Sequence, residues 1–118
     1  MNNQLLSIVI PIYNEELVIP HLRERMEKFR SKFPMPMEII LVDDGSTDNS
    51  PMLLKRWKES MRSVFVTTLS QNSGHQIALQ AGLDQAIGDY VVTMDADMQD
   101  PIETITDLVE KSREGFDI

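Results

Sequence analysis

Four short apolar runs divide the chain: Ile8-Val-Ile-Pro-Ile12, Glu38-Ile-Ile-Leu-Val42, Val64-Phe-Val-Thr-Thr-Leu69 and Tyr90-Val-Val-Thr-Met94. They are rich in β-branched residues and nearly continuous rather than alternating, as expected of strands covered on both faces. Between them, apolar residues recur at helical spacing. Leu22, Met26, Phe29 and Phe33 make one stripe, and Leu53, Leu54, Trp57 and Met61 make a second. From about Gly74 to Ala86, the residues Ile77, Ala78, Ala81 and Gly82 offer a small-residue face suited to close packing on a sheet. Ile102, Ile105, Leu108 and Val109 mark a fourth helix.

Boundary signals agree with this division. Ser50 before Pro51 reads as an N-cap with proline at the first helical position, and Asp100-Pro-Ile-Glu103 joins an acidic cap to a capping-box glutamate. Pro20 is read as opening the first helix, where its missing N–H is not needed. The order is β-α-β-α-β-α-β-α, and right-handed crossovers then predict an α/β fold: a three-layer α/β/α arrangement around a mostly parallel sheet. Gly115-Phe-Asp-Ile118 resembles a helix terminator followed by the start of another strand, so the chain reads as part of a longer protein.

Composition narrows the function classes. At 118 residues the chain is one domain, and folding buries somewhat more than about 60% of the surface its unfolded form exposes. Nineteen acidic against eleven basic residues give a net charge of -8, which repels a phosphate backbone and argues against nucleic acid as a partner. Cysteine is absent, which excludes disulfides and thiolate metal sites and is compatible with a cytoplasmic location. The start lacks a basic segment, and no nearby apolar run is long enough for a signal peptide or membrane span. Eight methionines scattered through the apolar faces read as core filling.

In open α/β sheets, ligands bind beyond the carboxyl ends of the strands. The first strand is followed by Tyr13-Asn-Glu15, the second by Asp43-Asp-Gly-Ser-Thr-Asp48, the third by Ser70-Gln-Asn-Ser-Gly-His75, and the fourth by Asp95-Ala-Asp-Met-Gln-Asp100. Asp48 and Asp100 read as turn or cap residues, Asp43 as an anchor for loop amides, Asn72 and Gly74 as turn formers, and His75 as a helix-start residue rather than a metal ligand. Asp95 and Asp97 differ. One residue apart on an extended segment, they point to one side and repel unless a cation neutralises them. A hard divalent ion, Mg²⁺ or Mn²⁺, suits such oxygens and keeps coordination positions for substrate phosphates.

The D-x-D spacing alone is common. A HAD-like phosphatase carries it after its first strand, and a response-regulator receiver has this length and an acidic pocket, but its paired acids also follow the first strand. Neither a P-loop nor a G-x-G-x-x-G fingerprint is present. A receiver-like phosphoacceptor or regulatory module is therefore the weaker alternative.

Taken together, Ile10-Pro-Ile-Tyr-Asn-Glu15, Val42-Asp-Asp-Gly-Ser-Thr-Asp48, Asn72-Ser-Gly74 and Asp95-Ala-Asp-Met-Gln-Asp-Pro101 resemble, in that order, the N-terminal half of family 2 glycosyltransferases with the GT-A fold. The last motif is similar to the polyisoprenyl-phosphate branch, which includes dolichol-phosphate mannose synthases and bacterial undecaprenyl-phosphate sugar transferases. Ile102 departs from that pattern, where many members have a second proline. The resemblance implies that residues 1–118 are the nucleotide-sugar-binding, Rossmann-like part of a GT-A domain. Pro11, Tyr13 and Glu15 would line the nucleotide pocket, and Val42 and Asp44 would read the base and ribose. Asp95, Ala96 and Asp97 would hold the ribose and diphosphate side. The metal ligands would be Asp97 first, then Asp95, with Gln99 engaging the ion and the sugar diphosphate.

The resemblance further implies inverting transfer, aided by Mg²⁺ or Mn²⁺, from a nucleotide-diphosphate sugar to a polyisoprenyl phosphate. The alternative acceptor is a saccharide hydroxyl. That acceptor requires a base, and no base is identifiable within residues 1–118. Acceptor-binding elements and membrane contact, at the cytoplasmic face, would lie in segments beyond Ile118. The chain alone is accordingly expected to bind nucleotide weakly and turn over little or no substrate.

Overall fold

The predicted alternation is present as β1 (Leu6–Ile12), α1 (Ile19–Lys32), β2 (Met37–Asp43), α2 (Ser50–Ser60), β3 (Val64–Thr68), α3 (His75–Gln85), β4 (Tyr90–Thr93) and α4 (Thr104–Arg113). The computed structural model describes residues 4–97 and 104–113. Asp100, Pro101, Ile102 and Glu103 of the expected fourth cap, and Gly115–Ile118, lie outside the described residues.

The strands form one sheet in the order β3-β2-β1-β4. All its pairings are parallel, with Ile8 opposite Ile39 and Val92, and Ile40 opposite Phe65. The chain first steps outward from β1 to β2 to β3 and then jumps back across β1 to β4. With right-handed crossovers, that reversal sends α3 to the opposite face from α1 and α2. The packing agrees. Ile8, Ile10, Ile39 and Leu41 bury against Leu22 and Met26 of α1, Leu54 and Trp57 of α2, and Ile105 and Val109 of α4. On the other face, Val9, Ile40 and Val42 meet Ala78 of α3. The order also separates this fold from a receiver, whose flavodoxin-like sheet runs 2-1-3-4-5.

Two expectations change. The sequence read all four strands as covered on both faces, yet only β1 and β2 are buried nearly throughout. β3 and β4 are the sheet edges among the described residues. With α3 centred over β1 and β2, Phe65 stays 45% exposed and Val91 40%. The close-packing face of α3 is also narrower than expected. Ala78 and Gly82 are its buried members, while Ile77 points outward at 56% exposure. At Gly82 a β-carbon would stand 2.3 Å from Val9 Cγ1 and 3.0 Å from Val42 Cγ2, so glycine sets how closely α3 approaches the sheet.

Helix starts follow the sequence, with one shift. Pro20 lies in the first turn of α1, as expected. In α2 the helix begins at Ser50 itself, with Asn49 in the cap position making no side-chain cap bond. The capping oxygen comes from Asp48, whose Oδ1 accepts the Ser50 N–H at 2.8 Å. The Ser50 hydroxyl instead accepts the Glu15 N–H at 2.9 Å.

Candidate active site

The order β3-β2-β1-β4 places the topological switch point between β1 and β4, where α/β sheets open a crevice beyond their strand ends. A cleft of about 540 Å³ lies there. Pro11, Ile12, Tyr13 and Glu15 line it from the end of β1, and Asp95, Ala96 and Asp97 from the end of β4. Asp44, Asn72, Gly74, His75 and Ala78 complete it. Of the predicted site residues, Pro11, Tyr13, Glu15, Asp44, Asp95, Ala96 and Asp97 are thus brought together. Val42 is fully buried beneath the cleft, packed with Val9, Ile40 and Ala78. Gln99 lies outside the described residues.

Asp44 is only 4% exposed, and its carboxylate is already engaged. Oδ1 accepts the Ser73 N–H at 2.7 Å and Oδ2 the Gly74 N–H at 3.1 Å, tying the end of β2 to the start of α3. Asn72 Oδ1 accepts the same Gly74 N–H at 3.1 Å. Gly74 itself has φ 100, a left-handed conformation that glycine adopts without strain. Asp43 is an anchor, as expected, with Oδ1 accepting the Ser46 N–H at 2.9 Å.

The cleft is strongly negative. Among the described lining residues, His75 is the only side chain able to carry a positive charge. It starts α3 as expected, and its Nε2 stands 3.9 Å from Asp95 Oδ1. Glu15 shows the effect of the field: its carboxyl is held above the usual range, first by burial and then by the negative charges of Asp97 and Asp48. Asp48 goes the other way. Burial pushes it up, but hydrogen bonds from Ser50 and Glu16 outweigh burial and leave it below the ordinary carboxylate range.

These features suit a divalent cation whose coordination is shared with a ligand. Asp95 and Asp97 supply hard oxygens, and among the described residues no group of three or more His, Asp or Glu side chains holds an ion unaided. A Mg²⁺-type site with one or two carboxylates completed by phosphate oxygens has this composition.

The sequence reading missed Asn14. It is the one non-glycine residue with positive φ, 50°, among the described residues. Its Oδ1 accepts the Thr47 N–H at 2.8 Å and the Asp48 N–H at 3.3 Å, and its own N–H donates to Ser46 Oγ at 2.9 Å. The next two residues continue the pairing. Glu15 N–H goes to Ser50 Oγ at 2.9 Å, Glu16 N–H to Asp48 Oδ2 at 3.2 Å, and Asn49 Nδ2 donates to Glu16 Oε2 at 3.0 Å. Much of the polarity of Gly45-Ser-Thr-Asp-Asn-Ser50 is therefore consumed in holding the loop after β1. The available signal was the preference of asparagine for left-handed turns, which is too general to single out Asn14.

A family model described as glycosyl transferase family 2 matches residues 7–118. An uncharacterized glycosyltransferase of Synechocystis sp. is 47% identical over 113 residues, covering 96% of this chain and 36% of that protein. The undecaprenyl-phosphate 4-deoxy-4-formamido-L-arabinose transferase of Pectobacterium atrosepticum is 45% identical over 113 residues, covering 95% of this chain and 35% of that protein. Among solved structures, the mannosyltransferase PcManGT from Pyrobaculum calidifontis, in complex with GDP-Man and Mn²⁺, matches with a TM-score of 0.79 at 26% identity, covering 93% of this chain and 32% of that one. The chain spans about a third of the length of the curated relatives it matches.

Proposed function

The chain belongs to glycosyl transferase family 2, and on that premise we propose that residues 1–118 form the nucleotide-sugar-binding part of a GT-A domain that transfers a sugar to a polyisoprenyl phosphate. The observation that carries this reading is the convergence of Tyr13, Glu15, Asp44, Asp95 and Asp97 on one cleft at the switch point of the sheet. The structural neighbour bound to GDP-Man and Mn²⁺ supports a nucleoside-diphosphate sugar and a divalent ion. The name of the Pectobacterium relative supports a lipid phosphate as acceptor, and with it a reaction at a membrane surface. No helix among the described residues is long and apolar enough to cross a membrane.

In this reading Pro11, Tyr13 and Glu15 form the nucleotide wall, and Asp44 with the underlying Val42 shapes the base and ribose end. Asp95, Ala96 and Asp97 face the ribose and diphosphate. Asp97 is the foremost metal ligand, with Asp95 and Gln99 beside it. A bound Mg²⁺ or Mn²⁺ supplies Lewis-acid stabilisation of the departing diphosphate.

The protein's part is to orient the donor so that an acceptor phosphate oxygen attacks the anomeric carbon opposite the diphosphate. The new C–O bond forms as the bond to the diphosphate oxygen breaks, and configuration inverts. Because the acceptor phosphate is already anionic, no side chain needs to remove a proton.

The chain by itself is expected to bind nucleotide weakly and turn over little substrate. GDP or UDP with Mn²⁺ should raise its melting temperature, and Asp97→Ala should abolish the shift while leaving the unliganded melting temperature within a few degrees. No shift with either nucleotide in the folded wild-type chain would refute the reading.

A further inference from the structure

Asn14 stands between two cleft-lining residues, Tyr13 and Glu15, yet does not line the cleft itself. Its left-handed backbone turns the loop after β1, and its side chain points into the loop after β2, where Oδ1 accepts two successive backbone N–H groups. In return, the N–H groups of Asn14, Glu15 and Glu16 are taken in order by Ser46, Ser50 and Asp48. The two loops are thus locked by reciprocal side-chain bonds, beyond the single backbone bond at their root where the Asp44 N–H donates to Ile12 O at 2.8 Å. The second loop starts from Asp44, which also lines the cleft and is itself bonded to the loop before α3.

We propose that Asn14 is a positioning residue for nucleotide-sugar recognition: it fixes Tyr13 and Glu15 against Asp44 across the cleft without touching the donor. The inference rests on the donor-binding reading of that cleft. Its physical basis is preorganisation. A loop already held in its bound geometry does not have to be ordered when ligand binds, so losing the lock weakens affinity although no contact atom is removed. Asparagine suits the position because it tolerates positive φ and also supplies an acceptor that reaches two amides.

The test is calorimetric titration of the whole chain with GDP and with UDP, each with Mn²⁺, alongside melting curves. Asn14→Gly keeps the turn and removes the acceptor, and it should weaken nucleotide binding on the order of tenfold. Asn14→Asp retains both the turn and an acceptor oxygen. At raised ionic strength, which screens its added charge, it should recover most of the affinity. Ser50→Ala attacks the lock from α2 and should also weaken binding, with the Asn14→Gly/Ser50→Ala pair losing less than the sum of the two.

Gly88→Ala controls for mere destabilisation. Its β-carbon would meet Ser7 Oγ at 2.4 Å and Leu5 O at 2.8 Å, at the other end of the sheet, so it should lower the melting temperature and leave affinity intact. Wild-type binding with Asn14→Gly within twofold of it would overturn the inference alone, as would an equal loss in Gly88→Ala. No wild-type binding of either nucleotide would overturn the donor-binding reading and this inference with it.

Discussion

Replacing Gly82 by alanine tests how α3 is seated over the sheet. The added β-carbon would stand 2.3 Å from Val9 Cγ1 and 3.0 Å from Val42 Cγ2. The first distance is more than an ångström inside the roughly 3.5–4.0 Å at which carbon atoms rest. Val9 has little room to yield, being fully buried, β-branched and paired on both sides within β1. Forcing extra carbon into a packed core costs about 1–3 kcal/mol, and the upper half applies where helix or strand backbone must shift. Against this, alanine gains about 1 kcal/mol of helix propensity over glycine.

The net expectation for Gly82→Ala is a loss of about 1–2 kcal/mol, or roughly 3–12 °C in melting temperature for a chain of this size. Urea and thermal unfolding followed by far-UV circular dichroism will measure it. In the double variant Val9→Ala/Gly82→Ala the offending methyl is gone, so the combined loss should fall short of the sum of the single losses by about 1 kcal/mol. Equal or greater stability of Gly82→Ala, or strict additivity in the double variant, would refute the close approach of α3 to β1.

Two further outcomes follow from the cleft. Asp44→Ala removes the acceptor for Ser73 and Gly74 N–H and should cost about 2 kcal/mol in urea unfolding, with Asp44→Asn losing roughly half of that. Glu15 has a raised proton affinity in the folded state. Its contribution is therefore intact below the unfolded value of 4.5 and is lost as pH rises through the higher folded value. Glu15→Gln should accordingly be more stable than wild type at pH 7, with the advantage fading as pH falls towards 4.5. Unfolding midpoints measured across that range will check the sign.

The sequence was most legible where one periodicity had one physical cause. The apolar runs of β1 and β2 are buried nearly throughout and were read within two residues of their ends, because covered parallel strands leave little ambiguity. The runs of β3 and β4 looked the same in sequence but lie at the sheet edges among the described residues, and sheet position is not written in a strand's own residues.

Local rules failed where a side chain served a distant segment. Ser50 before Pro51 read as a cap, but its hydroxyl goes to Glu15 and Asp48 supplies the capping oxygen. Among the acids beyond β2, Asp43 and Asp48 take the anchor and cap roles expected of them, whereas the tie that Asp44 makes between two loops at the cleft depends on partners about thirty residues away. The role of Asn14 is not legible in its own neighbourhood, because its partners are more than thirty residues away along the chain.

The most direct test of the account is titration of the wild-type chain with GDP and with UDP by calorimetry, once with Mn²⁺ and once with EDTA. A cleft lined by Glu15, Asp44, Asp95 and Asp97 should repel a bare diphosphate and accept it with the ion. Saturable binding of at least one nucleotide with Mn²⁺, lost in EDTA, is the expected result. Equal binding in both conditions, or none in either, would contradict the assignment of Asp95 and Asp97 to a metal-diphosphate site.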